Sequence, residues 1–269
     1  MAAPGYSPDL AYVHHVGFEG FAEKAAPWVL STLRRAGLRH GTIVDLGCGS
    51  GAFAARAAAA GHAVVGLDVS PAMIAIARRR ARKATFRVGS FTRVALPRCD
   101  AVTALSEVLG YRFDPTVGRP ALRRLFRRVF DALRPGGVFV FDVAGPGRAR
   151  VDGSTVRTVA GDDWVVLVRR KEARGRLERA ITTFRREGRG WRCTDETHVL
   201  ALYRPREVLD DLAAAGFVAA QVANFGRAPF GPGHAGFVAL KPREAVAPDA
   251  GRASRRGRSS ATRVRAAKR

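Results

Sequence analysis

Two carboxylates and three glycines carry the chemistry that is first legible in this chain. Asp45 sits within the apolar run "TIVDL", and Gly47, Gly49 and Gly51 follow within a few positions; Asp68 comes 23 residues later, at the end of "AVVGLD". A glycine turn between a strand and a helix lets a ligand approach the backbone and aims a helix N-terminus at it. Gly47, Gly49 and Ala52 satisfy the GxGxxG/A spacing, so the pyrophosphate of a dinucleotide is one candidate. Asp45 argues otherwise: a carboxylate two residues before the first glycine repels a pyrophosphate and attracts an ammonium group. Asp68, at the tip of the next strand, is placed to accept hydrogen bonds from both hydroxyls of a ribose, whereas its competing role as a helix cap is better filled by Ser70. An amino acid joined to a nucleoside fits both carboxylates. Met73, one turn into the following helix, either packs flat on a purine or belongs to the core.

These residues need a parallel sheet to hold them. Residues 17–36 show apolar positions at three- and four-residue intervals and read as a helix stopped by Gly37. "TIVDL", "AVVGLD", "TFRVG", "CDAVTALS" and "VFVFDV" read as strands. Between them, "AFAARAAAA", "SPAMIAIARRRARK" and "RPALRRLFRRVFDALRPGG" read as helices, the last stopped at Pro135, Gly136 and Gly137. Strand and helix alternate for about a hundred residues, as expected for an α/β, doubly wound, mainly parallel sheet. After Gly147 the period changes to two. The stretches "STVRTVA", "WVVLVRRKEA", "RLERAITTFRRE" and "WRCTDETHVLALY", separated by "GDD", "RG" and "GRG", predict an antiparallel β insertion over 148–203, before the late helix "PREVLDDLAAAGF". Residues 243–269 hold nine basic and two acidic residues with few large apolar ones, and are expected to be a disordered basic tail after a domain spanning 1–242.

The chain carries a formal +23, of which the tail supplies +7. Such a charge points either to a polyanionic partner or to a composition bias, since only five of the 46 basic residues are lysine. No apolar run is long enough for a membrane span, and the first residues lack the pattern of a secretory signal, so a cytoplasmic protein is the expectation. Cys48, Cys99 and Cys193 lie without CxxC spacing, and His14 and His15 form a pair without further ligands; no metal site is expected.

"VDLGCGSG", "VVGLDVSPAMIAIARRRA", "CDAVTALSEVLGY" and "LRPGGVFVFDV" together resemble the successive motifs of the class I S-adenosylmethionine-dependent methyltransferases, from about residue 40 to 143. The N-terminal "YSPDLAYVHH" and the β insertion resemble, more narrowly, the small-molecule members, including sugar-amine N-methylating types. The resemblance implies a Rossmann-like, seven-stranded sheet with S-adenosyl-L-methionine as cofactor. Gly47, Cys48, Gly49 and Gly51 would pack on its methionine part, with Asp45 near the amino group, Asp68 and Val69 at the ribose, and Met73 beside the adenine. Ser90 and Phe91 match the place of an acid-plus-apolar pair that holds the adenine, with serine replacing the acid. Leu105, Ser106 and Glu107 would face the methyl donor. Glu107 then orients an amine or takes its proton, or is a surface carboxylate paired with an arginine. Tyr6 and Tyr12 lie in a segment, within 1–40, that would fold over the cofactor as a lid, Tyr12 being the stronger candidate for contact or catalysis. The insertion would cap the active site.

The acceptor implied is a small molecule methylated on nitrogen, oxygen or a carboxylate. RNA is the alternative, suggested by "ARRRARK", "RRLFRR" and the tail, although "SEVL" stands where base-amine methylation uses an (N/D)PP(Y/F) tetrapeptide. The sequence leaves the oligomeric state open.

Overall fold

The protein was analysed as a computed structural model, which describes residues 5–18, 20–149 and 155–243. Helices α1 (Pro8–Gly17) and α2 (Gly20–Arg35) precede the sheet. Then come β1 (Thr42–Leu46), α3 (Ala52–Ala59), β2 (Ala63–Asp68), α4 (Pro71–Arg80), β3 (Thr85–Val88), β4 (Cys99–Ala104), α5 (Arg119–Ala132) and β5 (Leu133–Ala144). After the insertion, α6 (Pro205–Ala214), a late strand Val218–Val222 and a last strand His234–Leu240 complete the fold.

The seven-stranded sheet runs in the order late strand, last strand, β5, β4, β1, β2, β3. β1 to β5 are parallel, and the last two strands add an antiparallel edge. Strand order reverses between β1 and β4, and such a switch point opens a crevice at the carboxyl ends of both strands. The Asp45 and Leu105 segments stand at those ends.

Alternation along each strand divides the core in two. Val44, Leu46, Val102, Phe139 and Phe141 pack on one face with Leu122, Leu125 and Phe126 of α5; Ile43, Ala101, Val138 and Val140 pack on the other with α2, α3 and α4. Because both faces are covered, β5 is buried along most of its length, which is why "VFVFDV" is almost wholly apolar. Each large side chain buried there stabilises the fold by about 1.5–3 kcal/mol.

Two boundaries differ from the sequence reading. The helix predicted over 17–36 is α2, which begins at Gly20, and a separate helix, α1, precedes it, with Ser7 as its cap accepting from the Leu10 N–H at 3.3 Å. The helix predicted to stop at Pro135, Gly136 and Gly137 ends earlier, at Ala132, since Leu133 already pairs with Cys99 in the sheet and the Pro135–Gly137 stretch is strand.

The insertion is a four-stranded antiparallel meander, β6 (Thr155–Ala160), β7 (Trp164–Ala173), β8 (Arg176–Glu187) and β9 (Gly190–Ala201). Arg174 and Gly175 join β7 to β8 in a two-residue turn with φ of 49° and 71°, the handedness that matches the twist of a hairpin. Trp164, Val166 and Ile181 of this sheet pack on Leu10 and Val13 of α1, so the N-terminal segment and the insertion form one layer. The region of the expected disordered tail lies outside the described residues from 244 onward. Among the described residues no helix is long and apolar enough to cross a membrane.

Candidate active site

Where β1 ends, Gly47, Gly49 and Gly51 adopt φ of 60°, 53° and 79° in turn, a left-handed path that side-chain-bearing residues adopt only with strain. The three glycines serve different ends. A Cβ on Gly47 would stand 2.3 Å from Val108 Cγ1, and one on Gly51 3.2 Å from Ala77 Cβ, whereas one on Gly49 would meet nothing within 4 Å. Gly47 therefore admits the loop after β4, and Gly51 lets α3 pack on α4. Gly49 leaves open space beside the backbone.

That space belongs to a cleft at the carboxyl ends of β1, β2 and β4. Asp45, Gly47, Cys48, Gly49, Asp68, Val69, Met73, Ser90, Phe91 and Leu105 all line it, as do Tyr6, His14, Tyr111, Phe113 and Asp114. Of the residues expected to hold a ligand, Gly51, Tyr12 and Glu107 do not reach the cleft wall.

At the strand tips, Asp45 is buried and Asp68 is half-buried. Asp45 accepts a hydrogen bond from Thr103 Oγ1 at 2.7 Å, and burial pushes its pKa up to about 7 against that bond, with the Asp68 charge adding to the rise. No cationic side chain pairs with it among the described residues. Asp68 is tied to the backbone: Oδ2 accepts from the Gly49 N–H at 2.9 Å and Oδ1 from the Ser70 N–H at 2.8 Å. Burial raises its pKa too, and these backbone bonds oppose the rise. A carboxylate has about four lone-pair sites, so Asp68 fixes the glycine turn and keeps acceptor capacity for a ligand. Ser70 caps α4 through the Met73 N–H, which leaves Met73 buried with its side chain at the cleft wall.

Where Ser90 replaces the expected acid, the loop after β4 delivers one. Asp114 Oδ2 accepts from Ser90 Oγ at 3.2 Å and from Thr92 Oγ1 at 2.6 Å, and Arg93 pairs with it at 3.0 Å. Burial would raise the Asp114 pKa, but these donors outweigh it and hold the group ionised, well below the usual carboxylate range. Twenty-four residues separate Ser90 from Asp114, so no local pattern could reveal the pairing.

The loop after β4 also corrects the reading of Glu107. Ser106 and Glu107 adopt φ of 74° and 61°, rare for residues with side chains. The fully buried Asp142 of β5 holds them there, accepting from both backbone N–H groups at 2.8 and 2.7 Å and pairing with His234 Nε2 at 2.6 Å. The Glu107 side chain turns away from the cleft, to Arg148 and to Arg179 at 2.5 Å. Burial alone would raise its pKa, but the two guanidiniums bring it down to about 2, which disqualifies it as a proton acceptor near neutral pH.

Tyr12 is likewise redirected. On α1 its hydroxyl donates to Asp163 at 2.9 Å and the Arg185 guanidinium lies 3.4 Å from its ring centre, so it fastens the helix to the insertion. Of the two N-terminal tyrosines, Tyr6 is the one at the cleft. Its carbonyl accepts from Ser70 Oγ at 2.8 Å, and its hydroxyl meets that of Tyr111 at 3.1 Å, where Arg179 Nη1 also donates at 2.7 Å. Burial first, then Tyr111, raises the Tyr6 pKa well above its ordinary value, so it stays protonated. Asp142 had one visible signal, a carboxylate inside an otherwise apolar strand. Tyr111 and Arg179 had none.

The description of a methyltransferase domain fits residues 43–137, the range of the family model that matches. Among relatives, the "Probable cobalt-precorrin-6B C(15)-methyltransferase (decarboxylating)" of Pyrobaculum aerophilum is 31% identical over 146 residues, 53% of this chain and 71% of that protein. The dTDP-4-amino-2,3,4,6-tetradeoxy-D-glucose N,N-dimethyltransferase of Saccharopolyspora spinosa is 29% identical over 219 residues, 78% of this chain and 86% of that protein. Other relatives are matched over less, 41% and 42% of their length in two cases. The crystal structure of a sugar N-methyltransferase from Streptoalloteichus shares the fold with a TM-score of 0.73 at 22% identity, over 90% of this chain and 96% of that one. The ordered motifs, the sheet with its crevice between β1 and β4, and these matches place the chain in the class I S-adenosylmethionine-dependent methyltransferase family.

Proposed function

We propose that the protein transfers a methyl group from S-adenosylmethionine to a nitrogen, oxygen or carboxylate of a small-molecule acceptor. The observation that carries the reading is the pair of strand-tip carboxylates, Asp45 and Asp68, flanking an open glycine turn, with an apolar wall at Met73 and Phe91. Those groups fit a zwitterionic amino acid joined to a nucleoside: Asp45 for the ammonium, Gly49 for close approach, Asp68 for the ribose. Bound there, the cofactor supplies a methyl on an electron-poor sulfonium. The chain's part is then to position the acceptor and exclude water. Tyr6 stays protonated and Glu107 is committed to arginines, so an amine acceptor reacts in its neutral form, positioned by hydroxyl donors. The α1 and insertion layer, which meets the cleft-wall Tyr111 through the Tyr6 hydroxyl and Arg179, serves as its cap. Incubation with S-adenosylmethionine and panels of small amines, alcohols and carboxylic acids tests this, with S-adenosylhomocysteine release as the readout; no release above background with any class counts against it.

Asp68→Ala is expected to weaken S-adenosylhomocysteine binding by about 1–3 kcal/mol, the range for a lost charged acceptor, or roughly 5- to 150-fold. Calorimetric titration of the variant beside the wild type checks it. Asp45 predicts a pH dependence. Without ligand it holds a proton up to about pH 7, and a bound ammonium needs it ionised, so binding must expel that proton. Affinity is expected to rise with pH up to about 7 and then level, falling by as much as about tenfold per unit below. The same raised value gives the ligand-free folded protein one more proton than the unfolded chain between the ordinary carboxylate range and 7. That contribution to stability is therefore lost as pH rises through the window. Titrations at pH 6 and 7.5 in buffers of different ionisation enthalpy measure both the affinity change and the released proton.

A further inference from the structure

The inner face of the insertion carries more positive charge than its neighbours neutralise. Arg170 of β7 and Arg179 of β8 are directly opposed across the ladder, and Arg157 of β6 lies on the same face, diagonal to Arg170, whose own partner is Thr155. Arg148 approaches from the segment after β5 and shares Glu107 with Arg179. Glu107 is thus one carboxylate between two guanidiniums. Glu172, on the same face, is occupied with the Gly147 and Ala149 backbone N–H groups at 3.0 and 3.1 Å. Glu196 is paired with His198 at 2.9 Å. Among the described residues no carboxylate pairs with Arg170. Burial, then the charges of Arg179, Arg148 and Arg157, lower its pKa, and Glu107 only partly offsets them.

Like charges directly opposite on a sheet are destabilising, so an arrangement of this kind costs the empty protein stability. It also stands beside the cleft: Arg179 donates to the hydroxyl of Tyr111, a cleft-wall residue, and pairs with Glu107, the next residue in sequence after the wall residues Leu105 and Ser106. We infer that Arg148, Arg170 and Arg179, with Arg157 at the outer edge, bind a phosphate or diphosphate group of the methyl acceptor. Guanidinium forks match the tetrahedral oxygens of phosphate with paired hydrogen bonds. A group carrying two or more negative charges balances four arginines against Glu107 and Glu172 better than a single carboxylate does. Naming the anion's bearer as the acceptor rests on the methyl-transfer reading; the anion site itself does not.

Calorimetric titration of the full chain with inorganic pyrophosphate, inorganic phosphate and malonate, each with and without saturating S-adenosylhomocysteine, tests the site. Expected is one-site binding of pyrophosphate, or of phosphate if a single phosphoryl group suffices, with malonate weaker. Arg170→Gln and Arg157→Gln should each reduce that affinity, Arg170→Gln by about tenfold or more. Arg56→Gln, on the exposed surface of α3, should leave it unchanged and so exclude general attraction to a basic surface. The thermal midpoint of Arg170→Gln without anion should equal or exceed that of the wild type, because a repulsive pair is relieved. Equal phosphate and pyrophosphate affinities in wild type and Arg170→Gln, or no binding of either anion, overturn the inference. If S-adenosylhomocysteine still binds in that case, only the anion site fails. If anions bind as expected and S-adenosylhomocysteine does not, the methyl-transfer reading fails instead.

Discussion

Asp142→Ala is expected to destabilise the protein by about 3–5 kcal/mol, read as a lower denaturation midpoint in urea with an unchanged slope. Asp142 is fully buried and accepts three hydrogen bonds, from the Ser106 and Glu107 backbones and from His234. Removing it strands those donors, each at about 1–3 kcal/mol where water cannot replace the lost partner. It also releases a turn in which two consecutive residues with side chains are held at positive φ, a conformation that persists only when its surroundings impose it. Since Leu105 and Ser106 line the cleft, cofactor affinity should fall with stability. Asp142→Asn keeps one strong acceptor and should lie between the two. A wild-type midpoint for Asp142→Ala would mean that the β4 turn holds its shape by itself.

Gly47→Ala should cost about 2–5 kcal/mol, while Gly49→Ala, two residues away, costs only about 1–2. Both residues sit in left-handed backbone, which penalises any Cβ by about 1–2 kcal/mol. At Gly47 the new methyl also stands 2.3 Å from Val108 Cγ1, and forcing the loop aside adds about 1–3 kcal/mol of overpacking. At Gly49 it meets nothing and projects into space where a ligand would lie. The fold of Gly49→Ala should therefore survive with cofactor binding impaired, whereas Gly47→Ala should lose both. Urea midpoints and calorimetric affinities of the two variants separate these outcomes, and an inverted order of stability would refute the assignment of the two glycines.

The parallel sheet was legible because its strands and helices have periods of their own and its turns carry glycine at positions that need positive φ. The carboxylates at the tips of β1 and β2 were legible for a related reason: their function depends on where a strand ends, and strand ends are marked in sequence. What could not be read were pairings between distant segments. Asp114 reaches Ser90 from the loop after β4, Arg179 reaches Glu107 from the insertion, and Asp142 reaches Ser106 across a strand pair. Glu107 shows the consequence. Its position after the fourth strand suggested a group facing the substrate, but a positive-φ turn redirects the side chain and two arginines fix its charge. Tyr6 and Tyr12 lie six residues apart, and which of them reaches the cleft is decided by where α1 begins and which of its faces meets the inserted sheet.

The central claim is that the cleft between β1 and β4 holds S-adenosylmethionine rather than a dinucleotide. Calorimetric titration of the wild-type protein at pH 7.5 with S-adenosylmethionine, S-adenosylhomocysteine and NADH tests it most directly. The expected result is binding of both sulfur nucleosides at one site per chain, mutually exclusive, with no displacement by NADH. Binding of NADH in place of both, or of none of the three, would contradict it.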